Sequence, residues 1–144
     1  MIMDKKFTGS TKVEINATAE KVWDALINPD QIKKYLFGTN ANSDWTEGSE
    51  ITYSGEWEGK SYTDKGKILK METNKRFYTT YWSAASGVED SPENYDEVNY
   101  DLEEKDGKTI LTLTQSNNRS QESIDHSMKN WEMVLGEMKK LLEN

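Results

Sequence analysis

Between Ser120 and Glu143 the apolar residues Ile124, Met128, Trp131, Leu135, Met138 and Leu142 recur at spacings that alternate between four and three. That period lines side chains along one stripe of an α-helix. Val134 and Leu141 widen the stripe on one side, so the predicted helix needs a broad apolar partner surface. The chain supplies one between Glu50 and Gln115, where runs rich in Tyr, Trp, Phe, Val, Ile and Thr are broken by Gly, Asn and Asp, the pattern of antiparallel strands and their turns. The punctuation places strands at Ile51 to Trp57, Ser61 to Met71, Arg76 to Trp82, Glu97 to Leu102 and Lys108 to Gln115. Asp106-Gly107 joins the last two as a hairpin, because both residues tolerate positive φ. Val98, Tyr100, Leu102, Leu111 and Leu113 then share one inner face.

The first third of the chain carries different signals. Thr11 to Ile15 alternates polar and apolar residues as an opening strand does, with residues 1–10 read as a flexible or edge segment. Asn16 to Thr18 turns the chain, and Thr18 caps a helix whose Ala19, Val22, Trp23 and Leu26 fall on one face, with Glu20 near its positive start. Asn28-Pro29 ends that helix and begins another, in which Ile32, Tyr35 and Leu36 share a face. Gly38 to Gly48 reads as a loop, and so does the polar run between Ser83 and Tyr95, long enough to be functional or mobile. The order is β-α-α-β-β-β-β-β-α. It predicts an α+β helix-grip fold in one domain over residues 1–144: a curved antiparallel sheet of about six strands around a long C-terminal helix, with a cavity between them.

Composition narrows the function. With 144 residues a single domain buries about 68–70% of its unfolded surface. Only 34% of the residues are apolar, yet there are five Trp, seven Tyr and three Phe, so large rings must supply much of the core. A net charge of −8 without a basic stripe argues against nucleic acid and against anionic membrane surfaces, both of which are met by clustered Lys and Arg. The absence of cysteine removes disulfides and thiolate metal sites. No run approaches a signal peptide or the ~18 apolar residues of a membrane span. A cytoplasmic, monomeric protein is expected.

At this point several strings become informative together. TAEKVWDALINPDQIKKYL, GSEITYSGEWEGKSYTDKGKILKMETNKRFYTTYW, SGVEDSPENYDEVNYDL, DGKTILTLTQ and HSMKNWEMVLGEMKKLLE resemble bacterial, single-domain members of the activator of heat shock protein 90 ATPase homologue-like family, within the START-related SRPBCC superfamily of helix-grip domains. The resemblance runs from about Thr11 to Glu143. It implies a START-like fold whose cavity takes lipids, polyketides or flavonoid-like aromatics in related proteins, and it supplies no universal catalytic residues. Eukaryotic activators of the chaperone carry an additional N-terminal domain, whereas this chain begins its domain almost at residue one.

The residues offer candidate chemistry of one kind. Tyr53, Trp57, Tyr62, Phe77, Tyr81, Trp82 and Tyr100 either line a pocket in which flat apolar ligands stack or simply fill the core. Neighbours such as Phe77-Tyr78 and Tyr81-Trp82 must point to opposite faces. Trp131, Met128 and Met138 close the helix side, and Met suits adaptable surfaces. Met133 falls on the polar side of the helix. His126, the single histidine, also lies off the apolar stripe, so neither a His-rich metal site nor a triad with Ser123 or Ser127 is expected. Glu56 and Glu58 read as a solvated pair beside a turn. The acidic loop with Glu89, Asp90, Glu93 and Asp96 does not match a calcium loop and reads as solvated charge at the cavity mouth. No phosphate loop or dinucleotide fingerprint is present, and no cofactor is expected. The leading expectation is non-catalytic binding of a small hydrophobic, lipid-like or aromatic ligand by Tyr53, Trp57, Phe77, Tyr81, Tyr100, Met128, Trp131 and Leu135. A stress-related chaperone contact and a cyclase- or hydrolase-like enzyme are the alternatives.

Overall fold

The computed structural model describes residues 5–84 and 87–143, and the side chain of Trp57 also lies outside the described residues. Strand β1 (Phe7–Ile15) is followed by helices α1 (Ala19–Ile27) and α2 (Pro29–Tyr35), by strands β2 (Asn40–Ser43), β3 (Glu50–Trp57), β4 (Lys60–Glu72), β5 (Arg76–Ser83), β6 (Asp96–Lys105) and β7 (Lys108–Asn117), and by helix α3 (Gln121–Glu143). The strands form one curved antiparallel sheet in the order β1-β7-β6-β5-β4-β3-β2. The expected helix-grip architecture is present, with seven strands where about six were expected.

The extra strand is β2, which falls inside the stretch read as a loop. Its sequence, Asn-Ala-Asn-Ser, offers only Ala41 to the core, so it carries no hydrophobic alternation and is held instead by its ladder to β3. Of the two readings of the N-terminal segment, the edge one describes the residues from Phe7. They form an edge strand paired to β7 in continuous register from Phe7↔Asn117 to Ile15↔Thr109.

Local chemistry sets the other boundaries. The Thr18 side chain accepts from the Lys21 N–H at 3.4 Å, and the Asn28 side chain accepts from the Asp30 N–H at 3.0 Å with Pro29 directly behind it. These are the two cap signals of the sequence, and each meets backbone donors that a helix start leaves unpaired. Asp106 and Gly107 adopt φ of 54° and 80° between the paired Lys105 and Lys108, as a two-residue turn with this hand of twist requires. In the loop after β5 a 3-10 turn spans Pro92–Asn94.

The core lies between the inner face of the sheet and the helices. Ile51, Ile68, Phe77, Val98, Leu111 and Leu113 are buried from the sheet side. They meet Val22, Leu26 and Ile32 of the short helices and Leu135 and Met138 of α3. Helix α3 packs chiefly along β1. Gly9 allows that approach, because a Cβ there would lie 2.5 Å from Ile124 Cγ2 and 3.0 Å from Met128 Cγ.

Candidate functional site

The strands alternate faces, and this alternation builds a cavity. Thr79, Tyr81 and Ser83 of β5 share a face with Val98 and Tyr100 of β6, since Thr79 pairs with Val98 across the ladder. Tyr53 of β3, Tyr62 and Asp64 of β4 and Gln115 of β7 continue the wall. The apolar side of α2 brings Ile32 and Tyr35, and α3 closes the space with Trp131, Val134, Leu135 and Met138. The cavity so enclosed has a volume of about 770 Å³. Phe37 and Met133, 52% and 54% exposed, also belong to its lining and mark the opening. Phe37 holds a positive φ of 52° directly after the end of α2.

Of the expected ligand contacts, Tyr53, Tyr81, Tyr100, Trp131 and Leu135 stand in this wall. Phe77 and Met128 do not. Phe77 has the right facing but sits deeper along β5, where it stacks on Tyr100 at 5.7 Å and meets the edge of Trp23 at 6.1 Å, and it serves as core. Met128 is packed over Gly9 of β1, to the side of the cavity. Trp57 ends β3, and its side chain is outside the described residues. The wall also contains groups that the sequence reading passed over, notably Tyr35, Thr39, Asp64 and Gln115. Tyr35 shares a helix face with Ile32 and Leu36, which does not say whether that face meets a core or a cavity, and isolated polar residues in strands carry no signal of what they face.

The polar groups in the wall differ in their freedom. Tyr35 donates to the Ala25 carbonyl at 2.9 Å, and Tyr81 donates to Asp64 Oδ2 at 2.6 Å. The hydroxyls of Thr39 and Tyr62 bond to each other. The phenol hydroxyls of Tyr53 and Tyr100 have no hydrogen-bond partner among the described residues, although Tyr100 is only 9% exposed. Burial pushes the phenols of Tyr35, Tyr53, Tyr81 and Tyr100 above their usual value, and the neighbouring phenols or the Asp64 charge push Tyr35, Tyr81 and Tyr100 further. The four rings therefore converge on one low-dielectric space in which negative charge is disfavoured.

A buried polar network fixes the helix side of the cavity. Asp96, 2% exposed, receives Arg119 through both terminal nitrogens at 2.8 and 3.2 Å and also accepts from Gln115. The other end of the Gln115 amide accepts the Trp131 indole N–H at 2.7 Å. One chain of bonds thus runs from the β7–α3 connection to the indole in the wall. Such a network is stable when every member is satisfied, and it then specifies a single arrangement. Asp96 is therefore no solvated loop charge. Nor do Glu89, Asp90 and Glu93 stand at the cavity mouth: Asp90 pairs with Lys65 at 2.6 Å and accepts from Tyr95 at 2.6 Å, and the same Lys65 lies over the Trp82 ring on the opposite face of the sheet. His126, Glu56 and Glu58 are exposed and outside the wall.

The comparisons agree with this architecture. The family model described as Activator of Hsp90 ATPase homolog 1-like protein matches residues 16–143. The solution structure of ChR145 from Cytophaga hutchinsonii is 44% identical, with a TM-score of 0.83 over 99% of this chain and 97% of that one. The Aha1 dimer from Colwellia psychrerythraea is similar in fold at 23% identity, with a TM-score of 0.76 over 96% of this chain and 97% of that one. So is CalU16 from Micromonospora echinospora, at 21% identity and a TM-score of 0.73 over 94% of this chain and 75% of that one. No curated protein matches the sequence. No helix among the described residues is long and apolar enough to cross a membrane.

Proposed function

Since the chain belongs to the Activator of Hsp90 ATPase homolog 1-like family, we propose that it uses the helix-grip cavity of that fold to bind a small, mostly apolar molecule without transforming it. The observation that carries this reading is the cavity of about 770 Å³, within the range of about 300–1,000 Å³ typical of small-molecule sites. Its lining matches the usual recipe of apolar and aromatic walls with placed polar groups. Core packing would have filled the space; here six aromatic residues from four different strands and two helices surround it instead, with Phe37 at the opening.

Binding fits the polar inventory better than catalysis does. The wall holds phenols, the hydroxyls of Thr39, Ser61, Thr79, Ser83 and Ser127, the amides of Gln115 and Asn130, Lys60 at its edge and one carboxylate, Asp64, that already accepts from Tyr81. A nucleophile paired to a general base, the minimum for acyl or glycosyl chemistry, is not among the described wall residues. The chaperone-contact reading draws on the family description and on no feature of the site.

A flat uncharged aromatic molecule should bind with a dissociation constant in the micromolar range, about −8 kcal/mol. Val98→Trp places an indole inside the cavity and should abolish this binding at a stability cost of about 1–3 kcal/mol, with an unchanged circular dichroism spectrum. Absence of binding by the wild-type protein, or undiminished binding by a folded Val98→Trp variant, contradicts the reading.

A further inference from the structure

We infer that the cavity selects uncharged ligands bearing a hydrogen-bond acceptor and rejects carboxylates, fatty acids included. The inference rests on the binding reading above and names the chemical class that the same site takes. It comes from the charges and free donors of the wall.

Two charged side chains stand in the wall among the described residues, Asp64 and Lys60. Asp64 is half-buried beside the phenols and bonded to Tyr81, whereas Lys60 is exposed at the β3–β4 turn. Arg119, linked to the wall through Asp96 and Gln115, has both of its terminal nitrogens engaged by Asp96. A carboxylate drawn into the cavity would lose its hydration, gain no cationic partner and face the Asp64 charge. Burying an ion under those conditions is strongly unfavourable. The upward displacement of the phenols reports the same preference from the protein's own groups.

The free hydroxyls of Tyr53 and Tyr100 complete the assignment. Each is a donor without a partner among the described residues, in a space already influenced by the other phenols. A ketone, ester, ether or alcohol oxygen can accept from either of them. A cation could stack on the rings, but it would leave both donors unused. The preferred ligand is therefore an apolar molecule whose one or two neutral oxygens reach the Tyr53 and Tyr100 end of the cavity while its body lies against Trp131 and Leu135.

2-Acetylnaphthalene and 2-naphthoate form a near-isosteric pair that differs in a methyl group against a negative oxygen. At neutral pH the ketone should bind at least ~10-fold tighter, the equivalent of one pKa unit of preference between charge states. Combined Tyr53→Phe and Tyr100→Phe substitutions keep the rings and should shrink that ratio by weakening the ketone. Asp64→Asn should shrink it by strengthening the acid. Equal or tighter binding of 2-naphthoate overturns the inference while leaving the binding reading intact, as does a ratio that the tyrosine variant leaves unchanged. Acid binding that falls on Lys60→Gln also overturns it, because the carboxylate would then be held at the mouth. If neither compound binds, the binding reading falls and this inference with it.

Discussion

At Gly66 the backbone of β4 lies so close to β5 that a Cβ would come within 1.9 Å of the Thr80 carbonyl oxygen. Backbone atoms cannot swing aside as a flexible side chain can, so Gly66→Ala must part the two strands beside Tyr81. The expected cost is about 3 kcal/mol or more, seen as a fall of roughly 10 °C in the unfolding midpoint; a midpoint within a degree or two of wild type would refute the close approach. Other residues show what a sequence conceals at this scale. Phe77 and Tyr81 lie in the same phase of one strand, and phase gives the face but not the depth, so both read as cavity residues although Phe77 is core. Asp96 read as a loop charge because nothing local announces that Arg119, far along the chain, folds back onto it. Tyr53, Tyr100 and Trp131 could be placed in the wall because an aromatic at the right phase of an inner face has few other destinations.

Helix α3 is the element whose energetics can be tested most simply. Leu135 is fully buried at the centre of its stripe, and Leu135→Ala should cost about 2–5 kcal/mol, read from denaturant unfolding; an unchanged midpoint would contradict its placement. The far end of the helix is tethered by Glu143, whose Oε2 accepts from Lys139 Nζ at 2.6 Å and from the Asn16 N–H at 2.8 Å, while Lys139 also donates to the Glu14 carbonyl. The hydrogen bond from Lys139, and next that from Asn16, lowers the Glu143 carboxyl below its ordinary value of 4.5. A carboxyl lowered on folding favours the folded chain fully above its unfolded value and loses that contribution as pH falls through the folded value. Melting curves of wild type and Glu143→Gln should therefore separate modestly near neutrality, since the group is exposed and screened by solvent, and converge as the pH falls below the ordinary 4.5 and through the lowered folded value. A gap that widens in acid would reverse the assignment. Elements with strong periodicity or cap chemistry, such as α1, α2, α3 and the Asp106-Gly107 hairpin, were legible in the sequence. Strand β2 was not, because its short polar run is stabilised by its ladder to β3 rather than by any pattern of its own, and the first half of β1 was legible only as far as an edge segment.

For the whole molecule, the sheet supplies a floor of tyrosines, the short helices close one side, and α3 forms the roof, with the Arg119–Asp96–Gln115–Trp131 chain holding roof to floor. The space between roof and floor is where a ligand is expected to reside. Isotope-filtered NMR of the labelled protein with unlabelled 2-acetylnaphthalene measures this directly. The structure predicts intermolecular NOEs from the ligand to Tyr81 and Tyr100 of the sheet and, in the same complex, to Trp131 and Leu135 of α3, since all four line one cavity. NOEs confined to exposed residues such as Phe37 and Met133, or to one wall without the other, would contradict it.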